Sequence, residues 1–182
     1  MKKLMLAVVL ALVGLTGEAA AQENPMVGGA AMFTTKNIVE NAVNSPDHTT
    51  LVAAVKAAGL VETLAGPGPF TVFAPTNAAF DKLPAGAVEN LLKPQNKAML
   101  TKVLTYHVVA GTMNSRKLAE AIRKGGGTAT LKTVSGDTLK AMMSGDSIVL
   151  RDEKGGTSTV TIANVMQSNG VIHVVDTVLM PR

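Results

Sequence analysis

The chain has 182 residues, with 17 lysines and arginines against 13 aspartates and glutamates, no cysteine, no tryptophan and one tyrosine. That length suits one well-cored domain rather than two, and the missing cysteines exclude disulfides and thiolate metal sites. Scattered lysines with almost no aromatic rings argue against nucleic acid as a partner.

Residues 1–21 read as a cleaved secretory signal peptide. Met1-Lys2-Lys3 is a positive start, Leu4 to Leu15 is apolar, and Ala19-Ala20-Ala21 offers an A-x-A cleavage site. The apolar run is too short for a membrane span, and no later segment approaches the ~18 continuous apolar residues that one needs. The mature chain is expected to start near Gln22 and to work outside the cytoplasm, in the periplasm or the extracellular space. Losing Lys2, Lys3 and Glu18 from 17 basic and 13 acidic residues leaves an excess of +3. A charge of that size serves solubility and favours weak contact with anionic polysaccharide or a membrane surface.

Residues 22–33, with Asn24-Pro25 and Gly28-Gly29, read as an irregular lead-in, and 34–182 as a single domain. From Lys36 to Asn44 the residues Ile38, Val39, Ala42 and Val43 follow helical spacing. Ser45-Pro46-Asp47-His48 opens a second helix with its stripe at Leu51, Val52, Val55, Ala58 and Leu60, closed by Gly59. His48 reads as a solvated residue of the first turn. Gly66-Pro67-Gly68-Pro69 is a turn, and Phe70 to Ala74 alternates as a half-buried strand that Pro75 stops. Thr76 or Asn77 caps a short helix, Ala78 to Leu83, with Phe80 and Leu83 on one face. Three of the four phenylalanines, Phe70, Phe73 and Phe80, lie in this corner.

Two short helical patterns follow, Gly86 to Leu92 and Gln95 to Leu104, then a strand-like run from Thr105 to Val109. Asn114 or Ser115 caps another helix, ended by Gly125-Gly126-Gly127, which lacks the spacing of a phosphate loop. The period then changes. Thr130–Val134, Thr138–Met142, Ile148–Leu150 and Thr157–Val165 are strand candidates joined by turns, a β-meander. Asn169-Gly170 is a turn signal, and Val171 to Leu179 is a β-branched run that must be largely buried.

Three blocks now stand in order: TVFAPTNAAFDKLP with Thr71, Phe73, Pro75, Thr76, Asn77 and Phe80; LTYHVVAG with Tyr106 and His107; and NGVIHVVDTVLMP with Asn169, Gly170 and His173. Together they resemble the fasciclin-like (fasciclin I type) adhesion domain family over about Phe33 to Pro181. The resemblance implies an α+β fold: a compact fasciclin-like domain, a twisted, mostly antiparallel sheet wedge with several helices packed to one side. It also implies an extracellular adhesion or matrix role. In some animal members an Asp-Ile pair before the last block contributes to integrin binding. The matching residues are Asn164 and Val165, so a carboxylate-dependent integrin contact is not carried over. Tyr106 and His107 match a pair discussed as adhesive in the family.

The residues themselves offer little chemistry. Tyr106 and His107, side by side in a strand, would point to opposite faces. His173, between Ile172 and Val174, reads as a structural core histidine. A His107–His173 metal site has no support from spacing, and HExxH, CxxC, EF-hand and GxSxG patterns are all absent. Ten methionines are scattered and read as gap-fillers rather than copper ligands. No catalytic residue, metal or cofactor is expected. The sequence therefore points to an exported, non-catalytic adhesion or surface-interaction module binding a cell-surface or matrix protein or a polysaccharide. The rival reading is a periplasmic small-ligand or polysaccharide-binding protein with its groove along the sheet edge or under the first helices.

Overall fold

The computed structural model describes residues 24–182, so the expected signal peptide lies outside the described residues. The lead-in is not irregular: β1 (Met26–Val27) and β2 (Ala30–Ala31) form a small hairpin. Its turn residues Gly28 and Gly29 sit at φ of +62° and +80°, the backbone that a two-residue hairpin turn requires. The hairpin is held in place because Val27 within it and Met32 directly after it are sunk into the core.

Helix α1 (Ile38–Ala42) starts from a capping box between Asn37 and Glu40. A 3-10 turn, Pro46–His48, leads into α2 (Thr49–Ala58), which Gly59 closes in the left-handed conformation. A further short helix, α3 (Val61–Ala65), has no side-chain cap and no sequence signal of its own. Then come β3 (Phe70–Pro75), α4 (Asn77–Asp81), α5 (Ala87–Leu91) and α6 (Lys97–Tyr106). Strand β4 (Val108–Ala110) and helix α7 (Ser115–Lys124) precede the meander of β5 (Thr128–Lys132), β6 (Thr138–Ser144), β7 (Ser147–Arg151), β8 (Thr157–Gln167) and β9 (Gly170–Val175). The run from Thr105 to Val109 is therefore not all strand. Tyr106 ends α6 and His107 caps it, because Leu100, Val103, Leu104 and His107 keep the buried helix spacing to the end.

Seven strands form one sheet in the order β4-β3-β9-β8-β7-β6-β5. The β3–β9 pair is parallel and its neighbours are antiparallel. Past the end of β5 the chain returns to β4: Val109 bridges Thr133, and the Val134 N–H donates to the Val108 carbonyl at 2.8 Å. The twisted sheet is thereby nearly closed into a barrel.

Strand β3 was expected to be half-buried, yet every residue from Thr71 to Pro75 is buried. Its alternation separates two apolar faces rather than core from solvent. Val72 and Ala74 enter a core beneath the first six helices, with Leu51, Val55, Leu100 and Ile172. Phe73 enters a second core inside the curled sheet, with Tyr106, Leu139, Leu150 and the α7 residues Leu118 and Ile122. Burying each large apolar side chain contributes about 1.5–3 kcal/mol, so β3 and β9, which serve both cores, are the mechanical centre.

The polar residues of the first and last blocks are clips. The Thr71 hydroxyl donates to the Gly111 carbonyl at 2.7 Å and accepts from the Met113 N–H at 2.8 Å. Thr76 caps α4, and Asn77 Oδ1 accepts from the Thr50 N–H while its amide donates to the Pro46 carbonyl. Asn169 holds three segments: Oδ1 accepts from the Ile38 N–H at 3.0 Å, and Nδ2 donates to the carbonyls of Leu64 at 2.7 Å and Gly66 at 2.8 Å. Asn169→Ala removes all three bonds and is expected to cost about 2 kcal/mol. Urea melts should show a lower midpoint with an unchanged slope.

Candidate functional site

The groups with any capacity for chemistry converge where the end of α6, strands β3 and β9 and the C-terminal tail meet. The Tyr106 and His107 rings meet edge to face, centroids 6.4 Å apart. They do not diverge as strand neighbours would, because the helix end turns both inward. The Tyr106 hydroxyl donates to the Thr138 carbonyl at 2.7 Å, and burial pushes its pKa up to about 12. It stays a neutral phenol.

His107 is 3% exposed. The Leu179 N–H donates to Nε2 at 3.0 Å, so the ring proton sits on Nδ1 and is donated to the Val103 carbonyl at 2.8 Å. Burial pushes its pKa down to about 4, opposed in part by the Val103 carbonyl and the Asp152 carboxylate. His173 follows the same logic. Its Nδ1 accepts from the Asn164 N–H at 3.4 Å, its Nε2–H donates to the Met113 carbonyl at 2.7 Å, and burial lowers its pKa. Its ring stacks on Phe73 at 5.6 Å. Strand β3 lies between β4 and β9, and Phe73 separates the two histidines: it pairs with His173 and donates its N–H to the His107 carbonyl. All four ring nitrogens are engaged, which leaves no lone pair for a metal or for proton transfer. Among the described residues no group of three His, Cys, Asp or Glu side chains could hold a metal ion.

Asn164 and Val165 part company. Val165 is fully buried, whereas Asn164 is exposed at a bulge in β8, at φ +61°. Asn164 Oδ1 accepts from the Ser115 N–H and Nδ2 donates to the Ser115 hydroxyl, both at 2.7 Å, so it ties the start of α7 to the sheet. Of Tyr106, His107, Asn164 and Val165, Asn164 is the one a macromolecule can touch.

Sequence reasoning misplaced His48. It is 3% exposed, with Nδ1 2.9 Å from the Ser45 hydroxyl. The signal was present: His48, Leu51, Val55 and Ala58 share one helical face. Its Nε2 has no hydrogen-bond partner among the described residues, and the nearby Ala74 carbonyl favours the proton without reaching bonding geometry. Burial nonetheless lowers the pKa. His48 lines an apolar cavity of about 50 Å³ beneath α1, α2 and α3, together with Ile38, Leu51, Val55 and Leu64.

Comparison with known proteins gives a consistent result. A family model described as the fasciclin domain matches residues 46–181. Protein sll1483 of Synechocystis sp. is 46% identical over 160 residues, covering 88% of this chain and 82% of that protein. The immunogenic protein MPB70 of Mycobacterium bovis is 37% identical over 145 residues, covering 77% of this chain and 66% of that one. The cell surface glycolipoprotein MPB83 of the same species is 32% identical over 167 residues, covering 89% and 68%. The solved FAS1 domain pair of the insect cell adhesion molecule fasciclin I superposes with a TM-score of 0.72 at 17% identity, over 80% of this chain. This chain spans 51% of that one, and the likeness is one of fold.

Proposed function

Because the chain belongs to the fasciclin domain family, we propose that it is an exported, non-catalytic surface-interaction module that binds a protein or polysaccharide outside the cytoplasm. The observation that carries this reading is the engagement of Tyr106, His107 and His173, whose polar atoms all bond to the protein's own backbone. What would be catalytic side chains elsewhere are struts here. Two relatives whose names place them on the cell surface or mark them as immunogenic support an exposed role. The signal-like residues 1–21 supply the export step, and no helix among the described residues is long and apolar enough to cross a membrane.

Labelled protein from Gln22 to Arg182 should bind intact cells, or polysaccharide extracted from them, saturably. Binding should persist at about 0.15 M salt, where loose attraction between exposed charges is largely screened. Absence of saturable binding to both at that salt would overturn the reading.

The apolar cavity favours a second reading, a small-ligand carrier, with the unpartnered His48 Nε2 as a polar anchor. Titrating benzene as a probe should then raise Tm logarithmically with its concentration. A Tm indifferent to benzene would remove the carrier reading.

A further inference from the structure

We propose that the solvent face of the meander, around a pocket of about 400 Å³ ringed by Lys140, Arg151 and Arg182, is the docking surface for an acidic polysaccharide. This deepens the surface-interaction reading and rests on it.

The register makes the site. Ser144 pairs with Ser147 across a two-residue turn, so Lys140 lies directly opposite Arg151. Leu139, Ala141 and Leu150 are buried, so the pleat sends Lys140 and Arg151 to the other face, where both are exposed. Two like charges directly opposite across strands destabilise a sheet. An anion seated over the pair would relieve that repulsion. The same row continues on both sides with hydroxyls: Thr130 pairs with Lys140, and Thr157 pairs with Arg151.

The pocket's own acids, Asp152 and Glu153, form no ion pair with these cations among the described residues, and three cations against two carboxylates leave the lining a positive excess. Asp152 Oδ1 accepts from the N–H groups of Lys154 and Gly156, and its Oδ2 from the Met180 N–H. Glu153 Oε1 accepts from both the N–H and the hydroxyl of Thr138, bonds that hold its carboxyl below the usual range; Arg182 adds a weaker pull without forming an ion pair. The ion pairs among the described residues use Lys82, Lys102 and Lys124 instead. Lys140 and Arg151, exposed and without an ion-pair partner among the described residues, therefore stand with Arg182 around one hollow whose lining is positive in excess.

The lining also selects the partner class. It contains no aromatic ring, so neither a neutral sugar nor a nucleic-acid base has a face to stack on. What remains is charge for carboxylate or sulfate groups, with threonine hydroxyls beside it for sugar hydroxyls. A polymer that repeats its anions suits a row of cations along a sheet.

The test uses alginate, a polyuronate, as probe, with dextran and duplex DNA as comparators, in about 0.15 M salt. The wild-type protein should bind alginate and not dextran. The double variant Lys140→Gln, Arg151→Gln should weaken alginate binding by about tenfold or more, the scale of one or two lost charge-assisted contacts. Its Tm should be no lower than wild type, since both side chains are exposed and their mutual repulsion is gone. Lys36→Gln with Lys117→Gln, remote from the pocket, should leave binding unchanged. Equal alginate binding by the Lys140/Arg151 double variant and wild type, or none by wild type, would overturn the site. Equal affinity for DNA would reduce it to general polyanion attraction and also overturn it. If alginate fails while cells are still bound, the docking assignment falls and the surface-interaction reading stands; if neither is bound, both fall.

Discussion

His107→Ala is expected to lower the free energy of unfolding by about 4 kcal/mol, and lowering the pH towards 4 should reproduce much of that loss in the unaltered chain. The imidazole joins three elements. Its Nδ1–H reaches the Val103 carbonyl in α6, its Nε2 receives the Leu179 N–H of the C-terminal tail, and its own carbonyl receives the Phe73 N–H of β3. Alanine keeps the last bond, removes the first two, strands a buried N–H and leaves a hole. The pH effect has a defined sign. His107 falls from an ordinary 6.5 to about 4 on folding, so the unfolded chain binds more protons between those values. Its contribution is complete above about pH 6.5, is lost as the pH falls from there to about 4, and changes no further below; the full loss is on the order of 3 kcal/mol. His48 and His173 are also lowered by burial and act in the same direction. Thermal melts from pH 7.5 to 4 should show a falling Tm, and His107→Ala should flatten that slope while starting lower. A Tm that holds steady to pH 4.5 would contradict the neutral, doubly bonded imidazole. Binding of cells by the folded variant should be unchanged at neutral pH, because this side chain is inside.

Local signals were legible and sheet-scale ones were legible only in part. Thr76, Asn114 and Gly59 act within one turn of their own position, and each does at its helix end what its side chain or backbone freedom dictates. The meander strands alternate over a few residues and are bounded by turns, so their existence was plain. Helix α3 was not, because five residues without a cap leave almost no periodic trace. Tyr106 and His107 were misread for a different reason. Two β-branched valines follow them, and that strand signal masked the helical spacing from Leu100 to His107. The candidate docking surface was present in principle, since a two-residue turn at Gly145-Asp146 fixes Lys140 opposite Arg151. The apolar cavity was not, because it depends on how three helices and a hairpin meet.

Gly170→Ala tests the parallel seam on which both cores depend, and should cost about 3 kcal/mol, at the severe end of overpacking. Asn169-Gly170 reads as turn chemistry, but Gly170 is the first residue of β9 and has no positive φ. Its constraint is proximity. A Cβ there would lie 2.0 Å from the Phe70 carbonyl oxygen and 2.9 Å from the Phe70 nitrogen. Backbone atoms cannot rotate away as the end of a side chain can. Relief requires β9 to separate from β3 at Phe70, where the Phe70 N–H bonds to the Asn169 carbonyl at 3.0 Å. That motion would also pull Asn169 from Ile38, Leu64 and Gly66, so one methyl group loosens the helical core as well as the sheet. Gly136→Ala is the informative contrast. Gly136 has φ +93° and nothing within 4 Å of the added Cβ, so only its backbone conformation is penalised, by about 1 kcal/mol. Urea denaturation of the two variants should therefore differ by about 2 kcal/mol, with the larger loss at the glycine of ordinary φ. The reverse order would mean that turn geometry, rather than the close approach of β3 and β9, is what position 170 serves.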